Sequence, residues 1–127
     1  MRIAAPVARS GNALLLHPHF GRAPYFAFVE VVNDKISSVE VVENMYRSHE
    51  RGKARGLLNV IMERNPDCVL ALGMGEGAFE MLRSSGIKIY FYPSSSGAMP
   101  PLEKAVDSLI RGELKEAEEP RELDEEH

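Results

Sequence analysis

The chain is short of the residues that build several common kinds of site. It holds one cysteine, Cys68, and no tryptophan among its 127 residues. A single cysteine excludes an internal disulfide and any cluster site made of cysteines alone. Apolar runs are short and interrupted, far below the roughly 18 residues that a membrane span requires. Residues 1–7 lack the apolar core of a signal peptide, so we expect a cytoplasmic protein without a membrane partner.

Residue patterns typical of catalysis are also missing. No Ser/His/Asp or Cys/His arrangement stands at a recognisable nucleophile elbow. A nuclease of the ribonuclease H type would need carboxylates on its first strand to hold two metal ions. Residues 1–9 contain none. We therefore predict that the chain is not an enzyme.

Negative charge is concentrated at the C-terminal end. Residues 113–127 contain eight acids and two bases, so their net charge is −6. The whole chain has a net charge of −4, so the net charge of residues 1–112 is +2. A folded part so close to neutrality lacks the concentrated basic face that nucleic-acid binding needs. We interpret residues 1–112 as one domain without a nucleic-acid partner, and residues 113–127 as a flexible, solvated acidic tail.

The apolar pattern predicts strands in the first half and alternating helices and strands in the second. The sequence Val32-Asn33-Asp34-Lys35-Ile36 indicates a hairpin turn, whereas residues 13–19 fit either a strand or a buried loop. Apolar stripes predict three helices, the first ending before Pro66 and the others stopping at Gly86 and Gly112. The order favours a mixed, roughly five-stranded α/β fold in which the hairpin inserts one antiparallel strand.

A glycine-rich loop, Gly73-Met74-Gly75-Glu76-Gly77, follows a predicted buried strand and opens a helix. Open α/β sheets bind ligands at the carboxyl ends of their strands, and a helix N-terminus favours anions. A dinucleotide site would need an acid after the next strand, which ends Tyr90-Phe91-Tyr92-Pro93 without one. An anion or cluster site and a plain tight turn both remain open. The Met74 thioether would either face a soft metal or fill the core.

Three histidines are candidate metal ligands, because imidazole binds iron, copper and zinc. His17 and His19 flank Pro18 and would point to the same side of an extended segment. His49 stands in the polar stretch before the first helix. The alternative for each is an exposed or hydrogen-bonded histidine without a metal. Arg22 is the cation best placed to meet an anion, unless it pairs with a neighbouring acid.

The octapeptide His19-Phe20-Gly21-Arg22-Ala23-Pro24-Tyr25-Phe26 resembles the signature of the dinitrogenase iron–molybdenum cofactor accessory family. Residues 73–79 and 86–90 are similar to the family as well, and the resemblance spans about residues 1–112. It implies a ribonuclease H-like topology and non-catalytic binding or carrying of an iron–molybdenum or related metal–sulfur cluster, or its precursor. The residues it implies are His19 and His49 as metal ligands, with Arg22, Gly73 and Gly75 beside the cluster.

Two other functions remain open at this stage. A phosphate- or nucleotide-binding regulatory domain would use residues 73–77 and the serine-rich residues 94–97. A plain interaction module would keep the fold without a ligand. For a cluster carrier, the expected partners are the metallocluster and a protein that donates or receives it.

Overall fold

The computed structural model describes residues 1–46, 53–93 and 98–121. These residues form one mixed sheet with strand order β4-β3-β1-β5-β6, in which β2 pairs with β1. Its strands are β1 (Arg2–Ser10), β2 (Ala13–Leu16), β3 (Tyr25–Val32), β4 (Lys35–Glu43), β5 (Cys68–Ala71) and β6 (Lys88–Phe91). The described helices are α1 (Lys53–Glu63), α2 (Glu76–Ser84) and α3 (Leu102–Ile110). None of them is long and apolar enough to cross a membrane.

The predicted mixed α/β class is confirmed, with one strand more than expected. The sixth strand is β2, in the stretch whose pattern fitted either a strand or a loop. It pairs antiparallel with the end of β1, from Val7 opposite Leu16 to Ser10 opposite Ala13. Strand β1 extends beyond its parallel neighbour β5, which pairs only with Ile3 and Ala4 of β1. The ribonuclease H-like topology stays a prediction.

The hairpin and the helix ends follow local rules that the sequence displays. Asn33 and Asp34 have φ of 53° and 64° between β3 and β4, the left-handed pair of a two-residue type I′ turn. Gly86 and Gly112 have φ of 84° and 76° just beyond α2 and α3, where a left-handed residue closes a helix. The predicted hairpin and both predicted helix stops are confirmed.

Two apolar cores lie on the two faces of the sheet. One contains buried residues of α1 and α2, among them Leu58 and Phe79, and we call it the first core. The other contains Leu102, Ala105 and Val106 of α3. All four residues of β5 are buried, as expected for a central strand that is covered on both faces.

Gly56 in α1 is held against an aromatic ring. A Cβ atom at this position would lie 2.5 Å from Cε1 of Tyr46. Alanine normally stabilises a helix interior by about 1 kcal/mol relative to glycine. We expect Gly56→Ala instead to lower the free energy of unfolding by about 1 kcal/mol, because the displaced Tyr46 ring loses its packing. Chemical denaturation would measure this.

A double-mutant cycle provides the control for Gly56. In a Tyr46→Ala background, Gly56→Ala should stabilise the protein by about 1 kcal/mol, since the ring is no longer there. The same sign in both backgrounds would show that Tyr46 is not the reason for the glycine.

Residues 113–121, which we call the C-terminal strap, lie along the edge of the sheet. The Ala117 N–H donates to the Ile89 carbonyl at 2.7 Å, and Glu116 forms an antiparallel bridge with Tyr90. Leu114 packs against the α3 core. These contacts differ from the expected solvated tail, because the edge strand β6 offers backbone partners that composition does not reveal. A domain boundary at residue 112 stays a prediction, and residues 122–127 lie outside the described residues.

Candidate functional site

The octapeptide found in the sequence lies mostly in the loop between β2 and β3, residues 17–24, which we call the signature loop. Phe20 and Ala23 are buried in the first core, and the Phe20 ring meets Phe26 edge-on with centroids 5.2 Å apart. Between these two anchors, Gly21 and Arg22 are exposed. The loop therefore presents a glycine and a cation on a base that is fixed to the core.

His17 and His19 are both half-buried, and their ring centroids lie 5.6 Å apart, as the flanking of Pro18 predicts. The His19 backbone N–H donates to Nδ1 of His17 at 3.1 Å. Because Nδ1 accepts this bond, the proton of a neutral His17 ring is on Nε2. Metal-ligating histidines use the opposite arrangement, in which the second ring nitrogen donates its proton. His17 is therefore suited to fix the backbone of His19, and His19 is the better candidate ligand.

Burial lowers the pKa of His17 below its usual 6.5, and the charges of His19 and Arg22 lower it further, against the hydrogen bond with the His19 backbone, which raises it. The unfolded chain therefore binds a proton at His17 more readily than the folded chain does. We expect the contribution of His17 to the free energy of unfolding to stay constant above pH 6.5 and to fall as the pH drops below it. The reason is that protonation of His17 stabilises the unfolded state more than the folded state.

The control for this pH dependence is His17→Asn. An asparagine oxygen can accept the N–H two residues on, as in an Asx turn, and it does not titrate. Denaturation midpoints measured from about pH 8 to about pH 5 should therefore change less in the variant than in the natural protein. Equal pH profiles would mean that His17 does not cause the effect.

Asn44, just after β4, ties the signature loop to the neighbouring turn. Its Nδ2 donates to the carbonyls of Ala23 at 2.8 Å and Gly21 at 3.2 Å, and its Oδ1 accepts the Tyr46 N–H at 2.8 Å. The Asn44 side chain is almost wholly buried, with the residue 4% exposed. Sequence reasoning missed this residue, although an asparagine directly after a strand is a signal for an Asx turn.

The glycine-rich loop follows β5, as predicted, and leads into α2. Gly75 precedes the helix with an ordinary φ of −74°, and no side chain caps the helix N-terminus. Positive φ among the described glycines occurs only at residues 11, 86 and 112. Neither Gly73 nor Gly75 is therefore required by backbone strain. Gly73 is buried, and Gly75 is half-buried and leaves no side chain beside the partial positive charge of the helix N-terminus.

Met74 and Cys68 are not open to a ligand. Met74 is 3% exposed in the first core, so its thioether fills space there and does not face a metal, which corrects the metal-facing expectation. Burial raises the pKa of the Cys68 thiol to about 12, which disfavours the thiolate that a metal would need. Phe20 of the signature loop shares the first core with Met74, so both loops approach the sheet from the same face.

Several of the predicted site residues are not brought together in the described structure. His49 and residues 94–97 lie outside the described residues, so the pairing of His49 with His19 stays a prediction. Across residues 1–46, 53–93 and 98–121, no group of three or more His, Cys, Asp or Glu side chains is placed to hold a metal ion. The described part of the site thus supplies one candidate imidazole, one exposed cation and an uncapped helix N-terminus.

Arg121 is a second cation at this end of the sheet, and sequence reasoning placed it in the tail. Its guanidinium donates to the carbonyls of Leu72 at 3.0 Å and Tyr92 at 2.8 Å, just beyond the ends of β5 and β6. Its carbonyl accepts the Met74 N–H at 2.6 Å. Burial lowers the pKa of the guanidinium from its usual value, though Arg remains charged at neutral pH. No local pattern around residue 121 signals this role.

The fold and the paired loops define a small α/β domain with a candidate ligand site at the carboxyl ends of its central strands. The chain matches the model of the dinitrogenase iron-molybdenum cofactor family over residues 1–112. It belongs to that family.

A related protein and solved structures of the same fold match nearly the whole chain. An uncharacterized protein of Methanocaldococcus jannaschii is 25% identical over 118 residues, which are 93% of this chain and 92% of the relative. The apo form of the orange protein from Desulfovibrio gigas has a TM-score of 0.80 at 24% identity, covering 95% of this chain and 96% of that one. A NifB-like Thermotoga protein of the DUF35 family has a TM-score of 0.71 at 25% identity, covering 91% of each chain.

Proposed function

We propose that this protein binds or carries, without catalysis, an iron–molybdenum or related metal–sulfur cluster or its precursor. Family membership relates the chain to dinitrogenase cofactor biosynthesis. The observation that carries the proposal is the shared anchoring of two loops. Phe20 beside His19, and Met74 between the two glycines, are buried in the same core. The most distinctive loop of the sequence and the uncapped end of α2 therefore lie on one face of the sheet.

The electrostatics of this face suit an anion. Arg22 is exposed, and the N-terminus of α2 adds a partial positive charge of about half an elementary charge. The exposed carboxylate of Glu76, in the first turn of α2, opposes these charges in part. A side chain at Gly21 or Gly77 would meet no atom within 4 Å, so the surface at both glycines is open. A bulky cluster needs such an open surface, whereas a single metal ion in a structural site is enclosed by four ligands.

In this proposal, His19 binds a metal ion of the cluster, and the positive charge of Arg22 attracts the anionic cluster. His49, three residues after Tyr46, is the proposed second imidazole. Gly75 allows close approach to the backbone, beside the buried Gly73. Two imidazoles leave metal coordination positions unfilled, which the cluster's own sulfides would occupy. Binding should then be weak and exchangeable, as suits a carrier that passes a cluster between a donor and a recipient protein.

Anaerobic loading tests the proposed function. The protein would be incubated with tetrathiomolybdate, or with ferrous iron and sulfide, and separated from free metal by gel filtration. We expect visible absorption to elute with the protein at about one cluster per chain. Elution of the protein without metal or colour under both conditions would refute the proposal.

One observation favours a second candidate, a phosphate- or nucleotide-binding regulatory domain. The N-terminus of α2 lacks a side-chain cap, and free amides at a helix N-terminus also suit phosphate. A rise in melting temperature with inorganic phosphate or a nucleotide, absent with tetrathiomolybdate, would support this alternative.

A further inference from the structure

The C-terminal strap ends against the proposed ligand site. It follows residue 112, where the family match stops. Arg121, at its far end, holds both the Leu72 and the Tyr92 carbonyls with its guanidinium. A second anchor is the Ala117 N–H, which donates to Ile89 at 2.7 Å. Arg83 of α2 also donates to the Glu118 carbonyl at 3.0 Å.

The strap also occupies a donor that the proposed site would use. The Met74 N–H, in the middle of the glycine-rich loop, donates to the Arg121 carbonyl at 2.6 Å. A backbone N–H that already has a carbonyl partner is not available to an anion until that partner leaves.

The charge of the strap acts in the same direction. Residues 113–121 contain four acids and two bases, and all four acids, Glu113, Glu116, Glu118 and Glu119, are exposed. One of the bases, Arg121, is bound to backbone carbonyls. An acidic segment docked beside a loop that attracts anions lowers the affinity of that loop for an anionic ligand.

We infer that the C-terminal strap is an autoinhibitory element, latched by Arg121, that competes with an anionic ligand for the Met74 amide. This inference rests on the proposed function, because it concerns the same ligand. When the strap is docked, the Arg121 carbonyl accepts the Met74 N–H, so this N–H cannot bind an anion. When the strap is released, the Met74 N–H becomes available, and the acidic side chains of the strap move away from the site. Since coupling between two binding events is reciprocal, the ligand must also weaken the docking of the strap.

The test compares tetrathiomolybdate binding in three forms of the full chain. Arg121→Ala removes the latch, and Ala117→Pro removes the N–H that donates to Ile89 without changing the charge. Both should bind tetrathiomolybdate about tenfold more tightly than the natural protein, within the usual range of coupling effects. Arg121→Ala also removes a positive charge, which by itself would weaken binding of an anion. Tighter binding therefore reports release of the strap.

The matched control is Lys104→Ala, which removes the same charge from an exposed residue of α3, outside the strap. It should not tighten binding. Amide hydrogen exchange at Met74 and Ala117 should rise in Arg121→Ala. When tetrathiomolybdate is added to the natural protein, exchange should rise at Ala117, because the strap is released, whereas the Met74 amide passes from the strap to the ligand.

Each outcome of this test has a distinct meaning. Tighter binding in both strap variants, with faster exchange at Met74, supports the inference. Unchanged affinity in variants whose Met74 amide exchanges faster overturns it and leaves the proposed function in place. No binding in any form, including the two strap variants, overturns the proposed function and this inference together.

Discussion

Replacing Asn44 with alanine should lower the free energy of unfolding by about 2–4 kcal/mol. The change removes the two hydrogen bonds to the Gly21 and Ala23 carbonyls and the bond from the Tyr46 N–H. The bond to Ala23 is buried, so loss of its donor leaves the Ala23 carbonyl without a ready replacement, at a cost of about 1–3 kcal/mol. The Gly21 carbonyl and the Tyr46 N–H are partly accessible to water, and loss of their bonds costs about 0.5–1.5 kcal/mol each. Urea denaturation of the natural protein and the variant would measure the loss.

Asn59 provides the matched control, because it is an exposed asparagine on α1. Asn59→Ala should change stability by less than about 0.5 kcal/mol. A loss at Asn44 no larger than the loss at Asn59 would show that the signature loop is held by other contacts. Since Asn44 joins the signature loop to the turn that precedes His49, its replacement should also weaken cluster loading.

Replacing both His19 and His49 with alanine should abolish cluster loading while leaving the melting temperature nearly unchanged. His19 is only half-buried, so the substitution removes little packing, whereas loss of both proposed imidazoles leaves no metal–protein bond at the site. Anaerobic gel filtration with tetrathiomolybdate, followed by metal analysis, would measure the effect. Each single variant separates the contributions of the two histidines.

His17→Asn is the control for this pair. It also removes an imidazole, but it keeps an acceptor for the His19 N–H. Loading should persist in this variant, because Nδ1 of His17 already accepts a hydrogen bond and the ring is not placed as a ligand. Loss of loading in His17→Asn equal to that in the double variant would mean that His17 binds the cluster itself.

The parts of the fold that could be predicted depend on short-range rules. The hairpin follows from Asn33 and Asp34, which tolerate left-handed backbone, and the helix ends follow from Gly86 and Gly112. Strand β2 was ambiguous because its Leu14-Leu15-Leu16 run lacks the alternation that marks a half-buried strand. It is a strand because β1 extends past β5 and offers an edge, which is a property of the whole sheet.

The candidate site was predictable to a similar extent. The signature loop and the glycine-rich loop were both found from residue types, since each sits at a strand end. Contacts between residues distant in sequence were not. Arg121 reaches Leu72 across 49 residues, and Asn44 reaches Ala23 across 21. The acidic composition of residues 113–127 suggested disorder, whereas the unpaired edge of β6 supplied the hydrogen bonds that dock the strap.

The most direct test of the central claim is the location of the bound cluster. In an anaerobic titration of isotope-labelled protein with tetrathiomolybdate, backbone amide NMR signals that shift identify the residues at the ligand. We predict shifts at residues 19–22 and 73–77, with little change along β4 or α3. Shifts confined to α3 or β4, or no shifts at saturating tetrathiomolybdate, would contradict a cluster site on this face.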